Sequence, residues 1–370
     1  MGHFSALFNG LARSISSRKE ICGREYPERE AAKKMAKDAK KNGLMLRSCG
    51  VVDVDGSKNF TSAFSKRGEK GVNQDYIFVW EGFGFQEDML VCGLFDGHGS
   101  WGHYVAKKVG DSMPSSLLFN WQEAVAQTPL HTNPSLESQK KLQSFDIWES
   151  SCLKACAAID QELEQDGGID SFHSGTTGLI VVKQGELIVV ANIGDSRAVL
   201  ASTSDDGSLV PVQLTVDLKP NLPQEAERIT RCRGKVFCLE EEPGLHRVGR
   251  PGETPALAMS RAFGDYCMKD FGVISEPEVT QWNVTNRDQF IVLATDGVWD
   301  VISNEEAVEI VSSVPDRAKS AKHLVKSAAR AWKNRRRGIA MDDISAICVF
   351  FNALSSSLQQ FCSSAGKLQQ

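Results

Sequence analysis

Three short apolar runs, far apart along the chain, each meet a carboxylate at one end, and this pattern limits the fold more than any other feature. Met89 to Phe95 leads into Asp96-Gly97-His98-Gly99, Phe290 to Ala294 leads into Thr295-Asp296-Gly297, and Met341-Asp342-Asp343 immediately precedes Ile344 to Phe351. Runs of this length read as buried strands. A strand that is apolar on both sides needs cover on both faces, so each run belongs in a sheet held between two layers. Acids at three such strand ends can converge on one edge.

Asp75 to Trp80, Gly178 to Lys183, Leu187 to Ala191 and Arg197 to Ala201 are further strand candidates. A Gly-containing turn at Gln184-Gly185-Glu186 makes two of them antiparallel neighbours. Helical patterns occupy Trp101 to Leu118, Phe145 to Glu164, Glu225 to Arg231, Asn304 to Val311 and Arg317 to Trp332, the fourth capped by Ser303 or Asn304. Stacked sheets coated by helices suit this mixture better than a doubly wound parallel sheet.

The formal net charge of −5 leaves no overall positive field, which argues against nucleic acid as the main partner. Ten scattered cysteines form no C-x-x-C pair, as expected of a reducing compartment. Cys232 and Cys238 are close enough in sequence for a loop disulfide or a zinc site, but no paired histidines complete one, so a structural role is expected. No apolar run reaches the ~20 residues needed to cross a bilayer.

Residues 1–49 are expected to be an N-terminal appendage, flexible or membrane-associating. Phe4, Leu7, Phe8 and Leu11 fall on one helical face with Arg13, Arg18 and Lys19 beyond, a pattern suited to a membrane interface or equally to a free tail. Gly2 suits acylation, but that pattern wants Ser or Thr where this chain has Ala6. Lys33, Lys34, Lys37, Lys40 and Lys41 suit a nuclear signal, an anionic-lipid patch or a solvated helix face. Residues 122–144 read as a surface insertion and 219–255 as a long flap beside the site. Residues 354–370 read as a polar tail.

Asp96, Asp296 and Asp342 supply hard oxygen ligands of the type Mg²⁺ and Mn²⁺ prefer, and without a cation they would repel one another. Two such ions about 4 Å apart would suit hydrolysis of a phosphate ester. Gly97 lets the backbone approach an ion, and His98 suits a general acid. Asp343 is the alternative ligand to Asp342. Arg335-Arg336-Arg337 suits either a dock for acidic segments or a solvated helix end.

Seven motifs, in order, are Gly71-Val72-Asn73-Gln74-Asp75, Phe95-Asp96-Gly97-His98-Gly99, Ser174-Gly175-Thr176-Thr177, Asn192-Ile193-Gly194-Asp195-Ser196-Arg197, Ala258 to Asp265, Ala294 to Asp300 and Asp342-Asp343-Ile344-Ser345. With them, residues 50–353 resemble metal-dependent serine/threonine protein phosphatases of the type 2C family, plant-type members especially. The resemblance implies an α+β fold, a four-layer α/β/β/α sandwich of two antiparallel sheets flanked by helices. It implies hydrolysis of phosphoserine and phosphothreonine on proteins by a metal-activated water, without a phosphoenzyme, in plant signalling.

By the resemblance, Asp96 bridges two Mn²⁺ or Mg²⁺ ions, the Gly97 carbonyl binds one, Asp296 and Asp342 complete the other, and His98 is the general acid. Asp75 becomes an outer-shell partner. Asp195 either helps hold a weaker third ion or forms a turn bonded to Arg197. Ser174 to Thr177 and Ser260 to Asp265 maintain the fold around the site. Lys70 stands where many relatives carry an arginine for phosphate, and Gln74 where many carry Glu, so a higher metal requirement is expected. The Arg247-Val248-Gly249-Arg250 stretch lacks the tryptophan of hormone-receptor-regulated plant relatives, which disfavours that regulation. The expected partners are phosphoproteins, met by a monomer in the cytoplasm and also in the nucleus or at the plasma membrane. The rivals are a pseudophosphatase binding module and a phosphatase of small esters.

Overall fold

The structure, a computed structural model, describes residues 27–54, 59–127, 137–240, 244–250 and 256–351 of the chain. It opens with α1 (Pro27–Lys41), β1 (Met45–Leu46), β2 (Gly50–Asp53), β3 (Asn59–Lys66), β4 (Tyr76–Glu81), β5 (Met89–Phe95) and β6 (Gly97–His98). The helices α2 (Gly102–Gln127) and α3 (Glu137–Glu164) follow, then β7 (Gly175–Thr176), β8 (Gly178–Gln184), β9 (Leu187–Ile193), β10 (Arg197–Thr203) and β11 (Leu209–Gln213). Next come α4 (Pro223–Arg231), β12 (Lys235–Cys238), β13 (His246–Gly249), β14 (Phe263–Gly264), α5 (Tyr266–Lys269), β15 (Glu278–Asn283) and β16 (Asp288–Ala294). The last are α6 (Asp296–Trp299), α7 (Asn304–Ser312), α8 (Ser320–Arg335) and β17 (Ile344–Phe351).

Two antiparallel sheets form the centre, one in the order β1-β4-β5-β8-β9-β15 and the other β11-β10-β16-β17-β3-β2. The apolar strands serve two cores at once. In β5, Met89, Val91 and Phe95 pack under the helices, whereas Leu90, Cys92 and Leu94 alternate toward the facing sheet. In β16 and β17, Val292 and Cys348 meet α7 and α8 while Leu293 and Ile347 point inward. Each fully buried Leu, Ile or Phe contributes roughly 1.5–3 kcal/mol, so slipping either register by one residue would be costly in both cores. The four-layer α/β/β/α arrangement is as expected.

Ser303, rather than Asn304, caps α7: its hydroxyl accepts from the Glu306 N–H at 3.1 Å, and the Glu306 carboxylate accepts from the Ser303 N–H at 2.9 Å. The cap decides where this helix starts.

Four expectations need correction. The appendage does not extend to residue 49, because Ala32, Ala36 and Ala39 bury one face of α1 against α2 and Met45 pairs with Trp80. Surrounding lysines hide this narrow alanine stripe in the composition. Residues 122–127 and 137–144 are not an insertion but the facing ends of α2 and α3, joined by stacked Trp121 and Trp148 rings 5.4 Å apart. The span 219–255 is not merely a loop: α4 and the β12–β13 hairpin share a small core made by Ile229, Val248, Ala262, Met268 and Val273. Strand β3, placed centrally beside β17, is absent from the expected set because its alternation of Phe and Ala with Ser and Thr is weakly apolar.

Cys232 and Cys238 are free thiols, as is every cysteine among the described residues. Lys34, Lys37, Lys40 and Lys41 lie on the exposed side of α1. Gly2 and the amphipathic opening from Phe4 to Lys19, like the tail from residue 354, lie outside the described residues. No helix among the described residues is long and apolar enough to cross a membrane.

Candidate active site

Sheet topology gathers the acids at one end. Tyr76 pairs with Phe95, so Asp75 just before β4 and Asp96 just after β5 leave the first sheet side by side. In the second sheet Ala294 pairs with Ala346, which places Asp296 near Asp342 and Asp343. Asp195 lies between β9 and β10, where the chain crosses from one sheet to the other. The Thr295 hydroxyl ties the halves together, lying 3.3 Å from Asp75 Oδ2 and accepting from the Ser345 N–H at 3.1 Å.

Backbone donors and acceptors fix Asp96. Its N–H donates to the Thr177 hydroxyl at 3.0 Å, and its carbonyl accepts from the Thr177 N–H at 2.9 Å and the Thr176 hydroxyl at 3.0 Å. The Trp101 N–H donates to the Ser174 hydroxyl at 3.0 Å. Ser260, wholly buried, bonds the Leu218 carbonyl and Glu225. Close approach demands glycine at two positions. A Cβ on Gly97 would lie 2.5 Å from the Gly102 carbonyl oxygen, and one on Gly297 would lie 1.9 Å from that of Asp343.

Adjacent Asp342 and Asp343 have different tasks. Both oxygens of Asp343 accept from the main chain, from the Gly68 N–H at 2.7 Å and the Gln74 N–H at 2.8 Å. Asp342 instead meets the Lys70 ammonium. Asp195, only 2% exposed, is paired with Lys219 rather than with Arg197, whose guanidinium forks onto Asp217 at 2.9 and 2.6 Å. Gln74 donates its side-chain amide to the Gly99 carbonyl at 2.9 Å.

Concentrated charge raises proton affinity here. Loss of solvation, then the charges of Asp296 and Asp75, holds the Asp96 carboxyl well above its ordinary range. Desolvation followed by Asp195 and Asp342 does the same to Asp296. Asp75 is pushed up to about 8, chiefly by burial, and its Oδ1 is buried without a hydrogen-bond partner. Among the described residues no group of three or more His, Cys, Asp or Glu side chains is placed to hold a metal ion as it stands. The Lys70 and Lys219 ammoniums instead neutralise the two outer acids. The partnerless Asp75 oxygen and the mutually repelling Asp96 and Asp296 carboxyls fit divalent cations, which would supply the missing positive charge.

His98 and Asp265 are brought together by a ribbon in the order β14-β7-β6. Gly175 of β7 lies opposite both His98 and Gly264, and His98 Nε2 lies 2.6 Å from Asp265 Oδ2. Burial opposes protonation of this imidazole, but the Asp265 charge and hydrogen bond outweigh it and raise its pKa. Sequence reasoning left Asp265 as a fold-maintaining residue and missed Lys219 altogether. The one local sign of Asp265's position is the Gly264-Asp265 pair, where both residues adopt left-handed backbone at φ 73° and 50°.

Arg335 and Arg336 lie at the end of α8 and are already engaged. Arg335 forks onto Glu306 at 2.9 and 2.5 Å, and Arg336 lies 3.6 Å from Asp300. Arg250 bonds the Cys267 carbonyl at 2.8 Å and covers the Phe271 ring.

A two-sheet sandwich with clustered acids at one end is the class of fold and site seen here, and comparison with known proteins specifies its chemistry. The sequence model described as Protein phosphatase 2C matches residues 121–336. Probable protein phosphatase 2C 34 of Arabidopsis thaliana is 62% identical over 360 residues, covering 96% of this chain and 99% of the relative. Probable protein phosphatase 2C 48 of Oryza sativa subsp. japonica is 55% identical, covering 95% and 99%. Among solved structures, serine-threonine phosphatase 2C from Toxoplasma gondii superposes with a TM-score of 0.72 at 25% identity, covering 83% of this chain and 99% of that one. The chain belongs to the protein phosphatase 2C family and is a protein serine/threonine phosphatase of plant type. The family is metal-dependent, and its substrates are phosphoproteins.

Proposed function

We propose that this phosphatase works through two Mn²⁺ or Mg²⁺ ions held by Asp96, the Gly97 carbonyl, Asp296 and Asp342, in plant signalling. The carrying observation is the convergence of Asp96 and Asp296, from different sheets, into one site, where the Asp296 charge raises the proton affinity of Asp96 and Asp195 and Asp342 raise that of Asp296. When bound, the ions supply Lewis-acid activation of water and neutralise phosphoryl oxygens. Asp75, with one oxygen free, orients solvent from the outer shell. Asp195 supports a weaker third site only after Lys219 gives way.

The residues present have defined tasks. Asp343 holds the strand end that presents Asp342, and Thr176 and Thr177 hold the turn that presents Asp96. His98, oriented by Asp265, delivers a proton to the leaving serine or threonine oxygen. Lys70 provides a point charge for the substrate phosphate, and in the ion-free state it shields Asp342. Since Gln74 uses an amide N–H that a glutamate lacks, it stays on Gly99 and adds no charge, which favours a raised metal requirement.

The open, charged end of the sandwich favours protein substrates over small esters. A binding module without catalysis has no use for the His98–Asp265 pair. The test is turnover of a phosphothreonine peptide and of a sugar phosphate, with Mn²⁺ and with chelator, for the native chain and for Asp96→Asn. Peptide turnover that needs Mn²⁺ and Asp96 supports the proposal; equal turnover in chelator sinks it. The cytoplasmic, nuclear or plasma-membrane location, monomeric state and peripheral attachment through the N-terminus belong to the same proposal. Fractionation with and without residues 1–26, together with light scattering, tests them.

A further inference from the structure

A groove of about 470 Å³ lies between the end of β3 and α8, beside the acid cluster. Lys66, Arg67, Arg330 and Lys333 line it, and none of these four is paired with a carboxylate among the described residues. The acid in its wall, Glu69, is occupied by the Met341 N–H at 3.3 Å. Lys66 donates to the Arg67 carbonyl and Arg330 to the Ser327 hydroxyl, both at 3.1 Å, so both cations keep further donors free.

The stripe continues along the helix. Lys322, Lys326, Arg330 and Lys333 recur at intervals of four, four and three, hence on one face of α8, while Leu324, Val325, Ala328 and Trp332 bury the other. Helix α8 contains no acidic residue at all, in a chain whose net charge is −5. Like charges at this spacing are mildly destabilising, so their collection on one face favours an anionic partner, Lys322 being covered in part by the Phe64 ring.

The groove is continuous with the catalytic end. Its wall includes Met341, next to Asp342, and Gly68, whose N–H bonds Asp343. From Lys66 to Lys70 the chain reaches at most ~14 Å, the span of about four extended peptide residues. We propose that this groove seats acidic side chains of the phosphoprotein substrate, about two to five positions from the phosphorylated serine or threonine. The proposal rests on the phosphatase reading and adds substrate selectivity to it. A concave cleft that opens beside the catalytic acids suits a peptide segment rather than a flat lipid surface.

The test compares, in Mn²⁺, phosphothreonine peptides carrying Asp or Ala on either side of the target residue, with p-nitrophenyl phosphate as a substrate too small to reach the groove. Native protein should favour an Asp peptide in kcat/KM by about tenfold, mostly through KM and less so in high salt. Arg330→Glu with Lys333→Glu should abolish the preference and leave p-nitrophenyl phosphate turnover intact; Arg330→Gln with Lys333→Gln should give an intermediate loss. Equal kcat/KM for Asp and Ala peptides in native protein overturns the proposal. So does an unchanged preference in the Glu variant, including the case where that variant loses binding to phosphatidylserine vesicles instead. If no substrate is turned over, the catalytic reading fails by itself, and fluorescence anisotropy of the labelled peptides still decides the groove.

Discussion

His98 Nε2 lies 2.6 Å from Asp265 Oδ2, in a space that Gly175 leaves open. A Cβ on Gly175 would lie 2.0 Å from that Asp265 oxygen and 2.7 Å from His98 Nε2. If the pair delivers a proton to the leaving oxygen, Asp265→Asn and His98→Asn should each lower kcat on a phosphothreonine peptide by roughly 10²–10³. Their effect on p-nitrophenyl phosphate should be much smaller, because that phenolate leaves without a proton. Equal losses on both substrates would exclude this role.

Asp296 stands among Asp96, Asp195 and Asp342, and the Lys219 charge that partly offsets them is bonded to Asp195. Asp296→Asn should abolish measurable turnover, yet raise the melting temperature of chelator-treated protein by roughly 2–4 °C by removing one repelling charge. Mn²⁺ should stabilise the native protein in the same melt and the variant far less. Thermal scans with and without Mn²⁺ read both effects.

Lys70, about half exposed, donates to Asp342. An ion that recruits Asp342 must displace this ammonium, so Lys70→Met should lower the Mn²⁺ concentration giving half-maximal activity by about two- to fivefold, the scale of a partly exposed ion pair. The KM for the phosphopeptide should rise at the same time. A Mn²⁺ titration at fixed substrate checks the first effect, and unchanged metal dependence would remove Lys70 from the competition.

Glu225 is 2% exposed and is gripped by Arg228, Arg261 and the Ser260 hydroxyl. Although burial opposes its charge, these bonds hold its pKa down at about 2. The folded value is below the unfolded one, so the unfolded state binds more protons as pH falls. The resulting stability, about 3 kcal/mol, is present above roughly pH 4.5 and is lost progressively toward pH 2. Denaturant melts from pH 7 to pH 3 should show this slope in native protein, and Glu225→Gln should flatten it.

How far the fold was legible depended on which force dominates each segment. Burial on both faces leaves an unbroken apolar run, so β5, β8, β16 and β17 were readable nearly to the residue. Strand β3 was not, because its pairing with β17 compensates for an alternation rich in Ser and Thr. Helix α1 was misjudged because three alanines suffice to seat it while its many lysines govern the composition. In the site, Asp96, Gly97, His98 and Asp296 stood out through their place at strand ends. Asp265 and Lys219 did not, since their meaning lies wholly in which distant side chain they meet.

The amino-acid sequence by itself determined the layered sheets and the acids at their ends, because apolar periodicity and turn chemistry are local properties that each segment carries. Only the tertiary structure decided that Asp343 serves the backbone while Asp342 meets Lys70, that Asp195 meets Lys219, and that cations from the end of β3 and from α8 share one groove. Each depends on the register between strands remote in the chain. Charge and hydrogen-bond energies fall off within a few ångströms, so those distances are what assign the partners.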